Sequence, residues 1–78
     1  MSDVEKRVIA VTAKVLNLDP KEVTLDKSFT EDLGAQSVQS VELVAAFEEE
    51  FGIEMEEDEA LAVHTVGGAV EYIKTCLK

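Results

Sequence analysis

The sequence has few of the residues that stabilise small domains through cross-links or large aromatic side chains. Its 78 residues include no tryptophan, one proline and one cysteine, and aromatic residues make up 5% of the chain. The single cysteine, Cys76, cannot form an internal disulfide, and Cys76 with the single histidine, His64, provides too few ligands for a zinc site. We therefore expect a core of Val, Leu, Ile and Ala, a reducing compartment and no bound metal.

The sequence also lacks a segment that would direct it into a membrane. No run of apolar residues approaches the roughly 20 that are needed to cross a bilayer. The N-terminal residues lack the basic and apolar regions of a secretory signal. These absences predict a cytoplasmic protein without stable membrane insertion.

Basic residues are scarce relative to acidic ones. The chain has 7 lysines and arginines against 17 aspartates and glutamates, which gives a formal net charge of -10. Nucleic acid and anionic membranes are disfavoured as partners, because proteins that bind them use basic side chains to neutralise phosphates. We expect partners with basic surfaces instead. A chain of this length forms one small core, so we also expect a single domain over residues 1–78 that acts as a monomer.

Hydrophobic periodicity predicts helices and no strands. In the first segment apolar residues recur at steps of three and four, which is typical of an amphipathic helix, and Pro20 prevents the helix from continuing. The predicted stripe is Val4, Val8, Val11 and Val15, flanked by Ile9 and Leu16. A long loop to about Ala35 follows. Its candidate anchors to the core are Val23, Leu25, Phe29 and Leu33.

Three more helices are predicted after this loop. The second helix runs from about Ser37 to Phe51 and ends at Gly52, a residue that favours the left-handed conformation. A short helical turn is expected at roughly 57–61. The last helix begins after Thr65, a good N-cap, although two glycines weaken its first turn. Its stripe is Val66, Val70, Ile73 and Leu77. The predicted fold class is an all-α bundle of three main helices plus one short helix.

The second helix carries more apolar surface than one buried face requires. Leu43, Val44, Phe47 and Phe51 form one group, and Val38, Val41 and Ala45 form another that points to a different side. If the first group faces the core, the second is at least partly exposed, with Glu42, Glu48 and Glu49 around it. An apolar strip with charged edges is typical of a docking surface. The alternative is that the bundle buries both groups.

Ser37 stands at the predicted start of the second helix, and its simplest role is that of an N-cap. A nucleophilic serine would need a positioned base and an oxyanion hole. His64 has no evident partner to orient it, and GAQSV lacks the flanking glycines of the serine hydrolase elbow. The residues around Ser37 therefore do not indicate catalysis by this chain.

The segment FTEDLGAQSVQSVELVAAFEEEFGIEM, followed by TVGGAVEYI, resembles the acyl carrier protein family over nearly the whole chain. The resemblance implies an acyl-carrier-like bundle that holds acyl groups as thioesters on a covalent 4'-phosphopantetheine arm. Ser37 matches the attachment serine of the family, and Gly34 matches the glycine before it. A serine at a helix N-terminus also suits an esterified phosphate, because free N–H groups and the helix dipole favour negative charge there.

The resemblance further implies a non-catalytic carrier that works with other enzymes. A phosphopantetheinyl transferase would attach the arm, and acyl-loading and acyl-transferring enzymes with basic docking surfaces would use it in fatty-acid, lipid or related biosynthesis. The resemblance and the apolar strip together predict a set of partner-binding residues on and beside the second helix. These are Gln36, Val38, Val41, Glu42, Ala45, Glu48 and Glu49.

The sequence departs from the family pattern beside the predicted attachment serine. Gln36 replaces the usual aspartate, Val38 replaces leucine, and Gln39 replaces a residue that is commonly acidic. Negative charge is therefore lost on both sides of Ser37. We interpret these changes as features of a specialised carrier with a dedicated pathway.

We considered three alternatives to an acyl carrier, of which two remain open and the third is contradicted by the sequence. An aminoacyl or peptidyl carrier would use the same serine and the same arm. An unmodified acidic interaction module would have the fold without the arm. Calcium binding fails, because a loop begun at Glu54 has Glu59 where the turn glycine belongs and Thr65 where the bidentate glutamate belongs.

Overall fold

The computed structural model describes residues 3–77 and confirms an all-α bundle. Helix α1 spans Asp3–Leu16, α2 spans Ser37–Phe51, α3 spans Glu57–Ala62 and α4 spans Val66–Cys76. Helix α1 packs against α2 and α4, and the short helix α3 packs against α2. Between residues 3 and 77 the backbone forms no strand, and an isolated antiparallel bridge joins Ser28 to Thr65. The predicted bounds of α2 and the predicted start of α4 are confirmed.

A short 3-10 turn, Pro20–Glu22, lies within the segment that the sequence predicts as loop. The Asp19 carboxylate accepts the Lys21 N–H at 2.9 Å, and the Glu22 carboxylate accepts the Asp19 N–H at 3.2 Å. Proline at the first position needs no acceptor for an N–H. This reciprocal capping stabilises the turn, whereas α1 itself ends directly before Asn17, which has a left-handed backbone with φ 57°.

The buried face of α1 differs from the predicted valine stripe. The fully buried residues of this helix are Val8, Ile9, Thr12, Ala13 and Leu16. Val11 and Val15 are half-buried and pack at the edge of the core. All residues of the predicted stripe are buried or pack against the core, but the stripe was incomplete, because apolar periodicity gives no weight to Thr12 and little to Ala13. Small residues suit a helix that must approach both α2 and α4.

Backbone hydrogen bonds fix the long α1–α2 loop to the start of α4. The carbonyls of Leu25 and Lys27 accept the N–H groups of Gly67 and Val66 at 2.9 and 3.0 Å. The Phe29 N–H donates to the His64 carbonyl at 2.9 Å. The first N–H groups of a helix have no acceptor within the helix. The loop therefore supplies the acceptors that α4 lacks.

The predicted loop anchors act in two different ways. Val23 and Phe29 are buried as expected, and Leu33 is half-buried. Leu25 is 37% exposed, so its predicted burial was wrong and its backbone carbonyl makes the contact instead. A Cβ added at Gly67 would lie 3.0 Å from that carbonyl oxygen. The glycine that weakens α4 as a helix thus permits the close approach of the loop.

Arg7 joins α1 to the C-terminal end of α2. Its Nε donates to Glu50 Oε2 at 2.8 Å, and its Nη2 donates to the Glu50 carbonyl at 2.6 Å. The guanidinium carbon lies 4.4 Å from the centroid of the Phe51 ring. A cation at a helix C-terminus is favoured by the helix dipole. The helix then ends at Gly52 with φ 64°, as the sequence predicts.

Two side chains hold the segment that leads from α2 into α3. The Glu48 carboxylate accepts the Met55 N–H at 2.9 Å, and the Tyr72 hydroxyl accepts the Glu56 N–H at 2.9 Å. Desolvation by burial raises the pKa of Tyr72 above its usual value, so its hydroxyl stays neutral at physiological pH. Helix α3 has no side-chain N-cap of its own. Its position therefore depends on α2 and α4.

Thr12 generates a prediction about stability. Its side chain is fully buried, and its Oγ1 makes no hydrogen bond to any of the described residues. Replacing it with valine, which has nearly the same shape, should remove the desolvation cost of the hydroxyl and stabilise the fold by about 1 kcal/mol. We expect the melting temperature of Thr12→Val to rise by roughly 4–8 °C in circular dichroism melts.

Thr12→Ser is the matched control. It keeps the hydroxyl and deletes the methyl group, so we expect it to lower the melting temperature through a lost core contact. A Thr12→Val protein that melts at or below the wild-type temperature would contradict the prediction. Such a result would mean that the hydroxyl has a favourable partner.

Candidate functional site

The chain before Ser37 is held in one conformation by a tight loop. The Ser28 carbonyl accepts the N–H groups of Asp32 and Leu33 at 3.1 and 3.0 Å, and the Asp32 carboxylate accepts the Ser28 N–H at 2.7 Å. Gly34 then takes a left-handed conformation with φ 72°, which a residue with a side chain adopts at a cost. Ala35 is buried, and its N–H donates to the Phe29 carbonyl at 2.8 Å. Residues 28–35 thereby set the direction in which α2 begins.

Gln36, and not Ser37, is the N-cap of α2. Gln36 has an extended backbone with φ -88° and ψ 167°, and its N–H donates to Gln39 Oε1 at 3.0 Å. The interpretation of Ser37 as the cap was therefore wrong. The sequence held a signal for this arrangement, because a glutamine three residues after the cap is the second half of a capping box. Ser37 is left as the first residue of the helix, with an exposed side chain.

The two serines of this turn differ in accessibility. Ser40 is half-buried, and its hydroxyl donates to the Gln36 carbonyl at 3.3 Å. The Ser37 hydroxyl makes no hydrogen bond with any residue in the range 3–77. Only Ser37 therefore presents a hydroxyl that an external enzyme could reach without breaking an internal contact.

The electrostatic surroundings of Ser37 fit a phosphate ester. The first backbone hydrogen bond of α2 runs from the Ser40 N–H to the Gln36 carbonyl, so the N–H groups before it have no carbonyl of the helix to bond. No acidic residue lies in the first turn of α2. The helix dipole places partial positive charge at this end. An anionic group on the Ser37 oxygen would be stabilised by these features.

An apolar cleft of about 90 Å³ lies beside α2. Ser40, one turn after Ser37, is part of its lining. The remaining lining residues come from the loop, α2, the α2–α3 segment, α3, the α3–α4 segment and α4. They are Phe29, Thr30, Leu43, Val44, Phe47, Met55, Ala60, Leu61, Val63, His64 and Ala69. The sequence did not predict this cleft, because it forms only where these six segments meet.

The second apolar group of α2 is exposed, as expected if the first group faces the core. Leu43 and Phe47 are buried, whereas Val38 is 68% exposed and Val41 is 57% exposed. Ala45 lies one turn further along and is also exposed. We call Val38, Val41 and Ala45 the apolar stripe. A contiguous exposed stripe of this kind is typical of an interaction surface.

The acidic residues predicted to border the stripe are not equivalent. Glu42 and Glu49 are exposed, and neither has a hydrogen bond or an ion pair with another described residue. Glu48 is half-buried, and its carboxylate already accepts the Met55 N–H. Glu48 therefore has a structural role in the α2–α3 segment. Its predicted part in partner binding stays a prediction, as do those of Glu42 and Glu49.

The remaining candidate metal ligands lie apart from one another in the part of the chain that the structure describes. Among residues 3–77 no group of three or more His, Cys, Asp and Glu side chains is placed to hold a metal ion. His64 lines the cleft, where its carbonyl bonds to the loop, and Cys76 is half-buried on α4. Over the same residues no helix is long and apolar enough to cross a membrane.

Comparison with known proteins identifies the family. The family model described as "Phosphopantetheine attachment site" matches residues 6–73. The chain belongs to the acyl carrier protein family. It is 46% identical to the acyl carrier protein of Porphyromonas gingivalis over 78 residues, which cover 100% of both chains. It is 51% identical to the acyl carrier protein of Phenylobacterium zucineum over 74 residues, which cover 95% of this chain and 94% of that protein.

The fold agrees with this family. A putative acyl carrier protein from Mycobacterium tuberculosis superposes with a TM-score of 0.86 at 25% identity, over 92% of this chain and 96% of that chain. The protein therefore carries acyl groups on a 4'-phosphopantetheine cofactor. Acyl carrier proteins are generally non-catalytic, and membership of the family implies a phosphopantetheinyl transferase and acyl-processing enzymes as partners.

Proposed function

We propose that Ser37 is the residue that bears the 4'-phosphopantetheine arm of this carrier. The observation that carries the proposal is the exposed, unbonded Ser37 hydroxyl on the first residue of α2, one turn before the internally bonded Ser40. The arm supplies a thiol that forms the thioester with the acyl group. The chain contributes the anchoring oxygen, the positive end of a helix and a fixed direction of attachment.

We also propose that the apolar cleft receives the acyl chain. An acyl chain exposed to water gains about 0.8 kcal/mol for each methylene group that it buries. Ser40 lines the cleft, and its other lining residues are mainly apolar, among them Leu43, Phe47 and Ala60. These features favour an acyl cargo over an aminoacyl or peptidyl one. They also favour a modified carrier over an unmodified interaction module.

The apolar stripe is the proposed docking surface for enzymes that act at the Ser37 end. It lies on the same helix as Ser37, so an enzyme that contacts Val38 and Val41 has the arm beside its active site. Glu42 and Glu49 lie along one edge of the stripe and can steer basic enzymes toward it. Gln36, at the end of the stripe, is the proposed position for discrimination between transferases.

The first prediction from this proposal concerns the attachment residue. Ser37→Ala should keep the helical circular dichroism spectrum, because Gln36 and not Ser37 caps α2, and it should abolish modification. Ser40→Ala is the matched control and should still be modified, although it loses the bond to the Gln36 carbonyl. Intact-mass measurement after incubation with a phosphopantetheinyl transferase tests both variants. An arm located on Ser40 by fragmentation would overturn the assignment.

The second prediction concerns steering by charge. Glu42→Lys should reduce the association rate with the transferase by about fivefold or more at low salt, with little change in melting temperature. Glu71→Lys makes the same charge change at an exposed position on α4 and serves as the control. Stopped-flow association rates at several salt concentrations provide the measurement. Equal rates for the two variants would show that net charge alone matters and would contradict docking at α2.

The third prediction concerns Gln36. Gln36→Asp should add a favourable charge at the helix N-terminus, worth roughly 0.3–1 kcal/mol, and should speed modification by a housekeeping transferase through faster association. The gain should shrink as salt rises. Ala10→Asp adds the same charge at an exposed position on α1 and controls for net charge. Equal or slower modification of Gln36→Asp at low salt would remove the main support for a specialised recognition site.

A further inference from the structure

A groove of about 380 Å³ lies between α1 and the 3-10 turn that follows it. Its lining comes from one face of α1, from the turn and from the two residues after the turn. These residues are Lys6, Ile9, Ala10, Pro20, Lys21, Val23 and Thr24. Within residues 3–77, nothing from α2, α3 or α4 belongs to this lining. The groove is therefore separate from the acyl cleft, from the apolar stripe and from Ser37.

The floor of the groove is apolar and preformed. Ile9 and Val23 are core residues, 8% and 2% exposed, and they form the bottom of the groove. Ala10 and Pro20 are exposed beside them. The Val23 N–H donates to the Pro20 carbonyl at 3.1 Å, which closes the turn. A ligand that covers this surface therefore buries hydrocarbon without first having to order the protein.

Two lysines in the lining of the groove have no acidic partner. In the described part of the chain, the basic side chains that form ion pairs are Arg7 and Lys74. Lys6 and Lys21 are exposed, and neither ammonium group is hydrogen-bonded or ion-paired with a residue in the range 3–77. The 17 acidic residues of the chain thus leave these two cations available to a partner.

The acidic residues of the turn are already used by the backbone. The Asp19 and Glu22 carboxylates accept the N–H groups of Lys21 and Asp19, and neither acidic residue lines the groove. Five of the seven basic residues of the chain lie between residues 6 and 27, and none lies between residues 28 and 73. The groove therefore lies in a segment where basic residues outnumber acidic ones, although the whole chain is strongly acidic.

We propose that this groove binds an acidic amphipathic segment of a partner protein. Carboxylates of the segment would pair with Lys6 and Lys21, and apolar side chains beside those carboxylates would cover Ile9, Pro20 and Val23. The polarity of this contact is opposite to that proposed for α2, where acidic residues face basic enzymes. A partner suited to one of these surfaces is repelled by the other, so the two surfaces select different classes of protein.

A short acidic segment suits the groove better than two other anionic occupants. A second copy of the chain carries the same net charge of -10, and an anionic membrane extends past the groove on every side. Both would therefore be repelled by acidic residues elsewhere on the chain. Exposed charges more than about 8 Å apart are largely screened at physiological ionic strength, so a short segment interacts mainly with Lys6 and Lys21.

A partner in the groove leaves the Ser37 end of the protein uncovered. A segment bound to α1 and the turn does not contact the stripe or the lining of the cleft. One partner would therefore hold the carrier by its groove while enzymes act on the arm, which raises the effective concentration of the carrier near those enzymes. This inference does not depend on Ser37 being the attachment residue.

A synthetic peptide tests the groove directly. The probe is a short capped peptide with glutamates on both sides of a pair of leucines, and the control peptide has glutamines in place of the glutamates. Each is titrated at physiological ionic strength into the full 78-residue chain labelled with nitrogen-15. We expect saturable amide shifts from the probe that are largest at Ala10, Lys21 and Thr24, and about fivefold weaker binding of the control. Shifts centred on α2, no saturable binding, or equal binding of both peptides would overturn the proposal.

Lysine variants test the charge of the groove. Lys6→Gln and Lys21→Gln each remove one exposed cation and should weaken binding of the probe by about two- to fivefold. Lys14→Gln is the matched control, because Lys14 is exposed on the same helix but lines the depression between α1 and α2 instead. It changes the net charge equally, and we expect it to weaken binding by less than about 1.5-fold. Equal losses for the three variants would show that the probe senses only net charge, and the proposal would be wrong.

A substitution within the lining tests the position of the groove without changing a lysine. Ala10→Asp adds a carboxylate there, and Ala10→Asn adds a side chain of nearly the same size without charge. We expect Ala10→Asp to weaken binding of the probe by about tenfold and Ala10→Asn by less than about threefold. Equal effects would contradict the proposal. Both variants should be modified by a phosphopantetheinyl transferase at the wild-type rate, and slower modification of both would mean that the groove belongs to the transferase site instead.

Two further measurements test the other occupants. Nitrogen-15 spectra of the chain alone are recorded over a range of protein concentrations, and the chain is sedimented with vesicles of phosphatidylglycerol and phosphatidylcholine. We expect neither concentration-dependent shifts at the groove nor co-sedimentation. Shifts at Ala10 and Thr24 with rising protein concentration would assign the groove to a second copy. Vesicle binding that is lost in Lys6→Gln and Lys21→Gln would assign it to a membrane, and either result would overturn the proposal.

Discussion

The position of the functional site depends on the hydrogen bonds between the α1–α2 loop and the start of α4. The Leu25 and Lys27 carbonyls accept the first N–H groups of α4, which have no acceptor within the helix. The Phe29 N–H in turn donates to the His64 carbonyl. Phe29 then accepts the Ala35 N–H directly before α2 begins. Loops of this length need such anchors, because an unsatisfied buried backbone group costs about as much as a lost hydrogen bond. Ser37 is thus oriented by α4 through the loop.

Helix α2 performs different tasks on different sides. Leu43 and Phe47 build the core, the stripe of Val38, Val41 and Ala45 faces solvent, and Glu42 and Glu49 are exposed along its edge. One amphipathic helix in a small domain would ordinarily be polar outside its buried face. The additional apolar surface favours association between copies of the chain. The net charge of -10 opposes that association by mutual repulsion.

Helix α3 and the acyl cleft are the least independently stabilised parts of the bundle. Helix α3 has six residues and lacks a side-chain N-cap. The segment before it is held by two hydrogen bonds, in which Glu48 and Tyr72 accept the N–H groups of Met55 and Glu56. Helices this short are only marginally stable in water without tertiary contacts. The wall that α3 contributes to the cleft therefore depends on its packing against α2, whereas α1, α2 and α4 form most of the core.

The sequence alone determined the helical fold, the bounds of α2, the N-cap at Thr65 and the resemblance that identifies the family. These features follow from local spacing and turn chemistry, which act between residues close in the chain. The Gln36 cap of α2 is also local, since it is formed by the capping box with Gln39. Tertiary structure decided that Thr12 is buried, that Leu25 anchors the loop through its carbonyl, and that the stripe faces solvent. It also created the cleft. Each of these depends on which segments, distant in sequence, pack together, and local periodicity carries no information about that.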